Sequence, residues 1–93
     1  MGIYFVKPLF ALGKTYATAG AAALGLDLTR YLLRHSCGDW GEGFGEEDKQ
    51  ANEVALLVGE RLLSCYEVND RIRIYVITEW DRSYTTILLS EEY

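Results

Sequence analysis

The residues best equipped for chemistry sit in one run, His35-Ser36-Cys37-Gly38-Asp39-Trp40-Gly41-Glu42-Gly43-Phe44-Gly45-Glu46-Glu47-Asp48. It holds four glycines, two aromatics and five carboxylates. An imidazole with nearby carboxylates is a ligand set for a divalent metal, so His35, Asp39 and Glu42, with Glu46, could serve a metal-dependent phosphodiesterase or nuclease. The spacing matches no strong ligand signature, and His35 is the only histidine. A histidine closing a helix also suits the negative end of the helix dipole, and acids opening the next helix suit the positive end. That plainer reading is preferred.

Other chemistries fare worse. Cys37 lies two residues after His35, but the carboxylate of Asp39 beside it raises a thiol pKa rather than lowering it. Ser83 and Ser90 lack a nucleophile-elbow context. Gly41, Gly43 and Gly45 alternate, yet no strand leads into them with phosphate-loop spacing. Three acids stand where a phosphate would meet the helix start, so nucleotide binding is rejected. No cofactor is expected.

Binding remains. Glycines free the backbone of the run, and its acids cannot all be buried. Asp39, Glu42, Glu46, Glu47 and Asp48 would form an anionic surface, with Trp40, Phe44 and the later Trp80 as aromatic anchors. Equally, each ring could plug the edge of a small core. Arg71 and Arg73 share one strand face, which is ordinary for cross-strand partners of Glu67 or Asp70 and thin as a nucleic-acid patch.

Charge distribution sharpens this. The net charge is -5 over 93 residues. Residues 37–60 carry seven acids against Lys49 alone. Such a surface repels a phosphate backbone, so no direct nucleic-acid partner is expected; a basic protein surface fits instead. Nearly half the residues are apolar, as in ordinary folded domains. No apolar run approaches a bilayer span, so no membrane partner is expected. Met1–Pro8 does not read as a secretory signal, and Gly2 does not read as a myristoylation site. Cys37 and Cys65 lack zinc spacing, which points to a reduced, cytoplasmic protein.

The elements that must position these residues follow from periodicity. Residues 1–93 read as a single domain. Phe10 to Tyr16 suggests a short strand. Thr18 caps a helix over Ala19–Leu24 that Gly25 ends. Asp27 caps a second, with Leu28, Tyr31, Leu32 and His35 on one face. Glu46 opens a third, whose Ala51, Val54, Ala55, Val58 and Leu62 form the expected core stripe, with Gly59 as stop. Strands follow at Leu62–Glu67, Arg71–Thr78 and Tyr84–Leu89, joined by a two-residue Asn69-Asp70 turn and a charged Glu79–Ser83 turn. In the middle strand Arg71, Arg73, Tyr75 and Ile77 alternate with Ile72, Ile74, Val76 and Thr78. The fold class is therefore α+β: an antiparallel three- to four-stranded meander with three helices packed on one face.

Several motifs carry a family resemblance over roughly residues 10–93. They are Arg34-His35, Gly38-Asp39-Trp40-Gly41, Glu47-Asp48, Asn52, Gly59, Arg61, Leu63-Ser64, Tyr66, Ile77-Thr78-Glu79, Asp81-Arg82, Thr85-Thr86-Ile87-Leu88-Leu89 and Tyr93. The chain resembles short uncharacterised bacterial proteins carried by plasmids, phages and other mobile elements. They bear labels such as "plasmid-related protein" or "type I restriction enzyme subunit M". The second label fails physically, since the chain is too short for the doubly wound cofactor sheet of a methyltransferase. It departs from the family pattern at Gly43-Phe44-Gly45 and at Ser90. The resemblance implies a mobile-element accessory. Joined to the acidic run, it gives the leading expectation: a protein-interaction module, inhibiting a CRISPR or restriction defence complex by charge mimicry of nucleic acid. The other expectations are the metal-dependent hydrolase of His35, Asp39 and Glu42, and a homodimeric structural module that pairs through an exposed sheet edge.

Overall fold

The alternation of Arg73, Tyr75 and Ile77 with Ile74, Val76 and Thr78 builds a central strand, and the rest of the sheet assembles around it. The computed structural model describes residues 7–93. The readings made on residues 1–6 lie outside the described part. Four strands form one sheet: β1 (Lys14–Ala17), β2 (Leu62–Glu67), β3 (Arg73–Thr78) and β4 (Tyr84–Leu89), in the order β1-β4-β3-β2. Three helices accompany it: α1 (Ala19–Ala22), α2 (Thr29–Ser36) and α3 (Glu46–Val58). A 3-10 turn over Ser90–Glu92 closes the chain.

The fold is α+β, with one change to the expected sheet. β2–β3–β4 is an antiparallel meander, but β1 runs parallel to β4, with Tyr16 opposite Thr86. The two strands are far apart in sequence, so no hairpin dictates their direction. The entry to β1 is set by bonds to β4 and its preceding turn instead. Thr85 Oγ1 donates to the Leu12 carbonyl at 2.7 Å, and the Lys14 N–H donates to the Ser83 carbonyl at 3.1 Å. Gly13 turns the chain between them with φ +66°, pressed against the Ser83 carbonyl where no Cβ would fit. The strand therefore begins at Lys14, later than the apolar run from Phe10 suggests.

Local signals account for most element ends. Thr18 Oγ1 accepts the Ala21 N–H at 3.1 Å and starts α1. Asp27 Oδ1 accepts the Thr29 N–H at 3.1 Å before α2. Gly59, with φ +75°, ends α3. The β2–β3 connection is wider than a two-residue turn, and neither Asn69 nor Asp70 has positive φ. Asn69 Oδ1 instead accepts the N–H groups of Arg71 and Ile72.

Helices cover the inner face of the sheet. Ala21 and Tyr31 pack with Tyr66, Ile74, Val76 and Ile87, while Trp40 and Ala55 pack with Leu62. The expected α3 stripe is displaced around the helix. Asn52 and Ala55 are buried, whereas Val54, Leu57 and Val58 are exposed, Leu57 by 87%. The reason is polar: Asn52 Nδ2 donates to the Leu63 carbonyl at 2.7 Å, and its Oδ1 accepts the Leu63 N–H at 3.0 Å. That pair of hydrogen bonds turns the Asn52 side of α3 inward. On the outer face Cys65, Ile77 and Leu88 are also buried, and Phe44 and Tyr93 lie against Tyr75 there.

Candidate functional site

The acidic connector folds along the free edge of β2. The Cys65 N–H donates to the Trp40 carbonyl at 2.9 Å, and the Gly43 N–H donates to the Cys65 carbonyl at 3.0 Å. Gly41 adopts φ +93° and lies directly against the Cys65 carbonyl. Any side chain at Gly41 would push the connector off the strand.

Arg34, from the last turn of α2, clamps the connector from the other side. Its guanidinium bonds Asp39 at 2.6 Å and Glu42 at 2.7 Å, and lies 4.4 Å from the Tyr66 ring centroid. Tyr66 donates to the Asp39 carbonyl at 2.5 Å. Asp39 Oδ1 also accepts the Gly41 N–H at 3.1 Å. The Arg34 bond holds the Asp39 carboxyl below its usual range, and the pair raises the already high Arg34 pKa. Burial pushes the Glu42 carboxyl upward, but the bonds from Arg34 and from the Glu67 N–H outweigh it, so its pKa is lowered. Both acids are ionised at neutral pH and held in place.

The aromatic rings of the run divide. Trp40 is a core residue, only 3% exposed. It stacks on Phe10, meets His35 edge-on, and its indole N–H donates to Glu53 at 3.1 Å. Its ring is not offered to a partner. Phe44 is half-buried against Tyr75. Trp80 sits apart, in the β3–β4 turn, and is 67% exposed.

His35 is also in the core, and this corrects the metal-site expectation. Its ring is fully enclosed, with Nδ1 2.5 Å from Ser64 Oγ and Nε2 2.9 Å from Thr78 Oγ1. Both nitrogens are occupied, so His35 cannot share a ligand with Asp39 and Glu42. Among the described residues no three His, Cys, Asp or Glu side chains converge as a metal site. Burial, with a smaller contribution from the charge of Arg82, lowers the His35 pKa to about 3. The Cys65 thiol is buried and pushed upward, and it lies far from the chemistry of an activated nucleophile.

The remaining acids define the surface. Glu46, Glu47 and Asp48 open α3, exposed and, among the described residues, without an ion pair. Of these, Glu46 lines an open groove of 480 Å³ between the connector and α3, with Asp39, Glu42, Lys49 and Glu53. Of the five carboxylates in the run, then, two pair with Arg34 and three are exposed without an ion pair among the described residues. Sequence reasoning missed Glu53, which joins the groove because α3 brings it beside Trp40; its place four residues after Lys49 and seven after Glu46, on one helical face, was the available signal. It also missed Arg34 as the organiser. This arrangement can receive ammonium or guanidinium groups. Among the described residues, no helix is long and apolar enough to cross a membrane. Comparison with protein-family models, curated proteins and solved structures finds no match.

Proposed function

We propose that this chain is a non-enzymatic interaction module whose acidic face occupies a basic, phosphate-binding surface of another protein. The partner class is a nucleic-acid-handling complex, a CRISPR or restriction assembly, and the chain would act there as an inhibitor carried by a mobile element. The observation that carries the reading is the exposed Glu46-Glu47-Asp48 turn, whose Glu46 lines a groove with the Arg34-held Asp39 and Glu42. Carboxylates left unpaired on the surface compete with phosphate for Lys and Arg. Mobile-element carriage rests on the family resemblance, and a cytoplasmic location on the reduced cysteines.

The test is competition. A purified defence effector is loaded with labelled DNA, and the full chain is titrated in, beside a deca-arginine peptide titration that reads the surface chemistry alone. Displacement of DNA that fades with added salt supports the reading. The Glu46→Lys, Glu47→Lys, Asp48→Lys triple variant should lose binding in both assays. Unchanged deca-arginine affinity in that variant overturns the reading.

A further inference from the structure

We propose that the chain pairs with a second copy of itself through β1, antiparallel about Tyr16, to give a continuous eight-stranded sheet.

The two edges of the sheet are treated differently. On β2 the outward groups are answered from within the chain. The Asn52 amide takes both the N–H and the carbonyl of Leu63. Trp40 and Gly43 take those of Cys65, and Glu42 takes the Glu67 N–H. That edge is closed to any added strand. On β1 the N–H groups of Lys14 and Thr18 turn toward β4, bonding the Ser83 and Ile87 carbonyls. Alternation therefore sends the N–H and C=O groups of Thr15 and Ala17 outward. Among the described residues nothing meets them, and all four residues of β1 are exposed.

The strand is complementary to itself in one register. Pairing about Tyr16 sets Thr15 opposite the second copy's Ala17, and each such pair exchanges two backbone bonds. Tyr16 then meets Tyr16 of the other copy at the symmetry axis. Tyr16 and Tyr84 already touch edge-to-face, with centroids 6.1 Å apart, and both residues are about half exposed. The pairing joins them into a strip of four tyrosines. Lys14 comes opposite Thr18 of the second copy. Thr18 Oγ1 donates to Glu92 Oε1 at 2.7 Å, so a carboxylate already stands where the incoming lysine arrives. A lysine on an edge ordinarily discourages pairing. In this register it meets an anion, twice per dimer.

The acidic groove lies at the β2 edge, at the far side of the sheet from β1. A dimer through β1 leaves one acidic face at each end, and two linked faces gain avidity on a partner with repeated sites. The dimer does not depend on the proposed function, because it uses the opposite edge.

Sedimentation of the full chain over a wide concentration range tests the pairing. The expected result is a reversible dimer, twice the 10.5 kDa chain. Ala17→Pro removes only an outward N–H, and should weaken self-association at least about tenfold while far-UV circular dichroism and deca-arginine binding stay unchanged. As a second reading, Tyr16→Cys in a Cys37→Ser background should form a disulfide-linked dimer on mild oxidation, and Thr15→Cys should do so far less. A single-copy mass at every concentration overturns the proposal, as does a dimer indifferent to Ala17→Pro. Equal crosslinking at residues 15 and 16 also overturns it.

Discussion

His35 Nε2 lies 2.9 Å from Thr78 Oγ1, and that one contact gives direction to a hydrogen-bond chain through the core. Thr85 Oγ1 donates to the Leu12 carbonyl, so it accepts from Thr78. Thr78 then accepts from the Nε2–H of His35, and Nδ1 accepts from Ser64. The chain is satisfied only by a neutral imidazole protonated on Nε2. It ties α2 to β2, β3, β4 and the segment before β1.

This makes stability depend on pH in a defined direction. The His35 pKa falls from 6.5 to about 3 on folding, so the unfolded state binds the extra proton between these values. The stabilisation is complete above pH 6.5 and is lost as pH falls toward 3, at about 1.4 kcal/mol per pH unit in the steep part. Urea midpoints measured across this range should fall steadily. His35→Gln should be less stable at pH 7 and should flatten the slope between pH 6.5 and 4.

Asn52 is expected to matter more than its apolar neighbours on α3. Asn52→Ala strands the N–H and carbonyl of Leu63 on a covered edge, at a cost of about 2–3 kcal/mol. Leu57→Gln, at an exposed position, should change stability by less than about 0.5 kcal/mol. Chemical denaturation of the two variants checks this inversion of the usual ranking.

The connector glycines should separate in the same assay. Gly41→Ala meets the Cys65 carbonyl from a left-handed backbone and should destabilise by about 2 kcal/mol or more. Gly45 caps α3 with an extended backbone and no side-chain bond, and its Cβ direction is open. Gly45→Ser supplies the missing acceptor and should stabilise by a few tenths of a kcal/mol.

Releasing the clamp should loosen the connector without unfolding the domain. Arg34→Met removes both ion pairs, which are partly exposed, so the stability loss should be only about 1 kcal/mol. Amide hydrogen exchange at Gly43 and Cys65 should accelerate, since their bonds hold the connector to β2. Arg34→Lys should not restore protection, because one ammonium cannot reproduce the forked contacts to Asp39 and Glu42.

What the sequence by itself determined was local. The facing of β3 follows from its period of two, the start of α1 from Thr18, and the stop of α3 from Gly59, whereas α1 ends at Ala22, before the expected Gly25. Each depends on neighbours a few residues away, so each is written in the chain. The acidity of the α3 entrance is legible for the same reason. Tertiary structure decided the rest. The parallel pairing of β1 depends on Leu12 meeting Thr85, seventy-three residues on. The inward side of α3 was chosen by Asn52 reaching Leu63, against an apolar pattern that favoured Val54 and Val58. His35 became a buried link rather than a ligand because α2 lays it over Ser64 and Thr78. Two of the five connector acids were ion-paired, while still partly exposed, because Arg34 arrives beside them. Desolvating a polar group is costly unless a partner meets it, and where the partner comes from a distant segment, only the folded chain can say which groups meet.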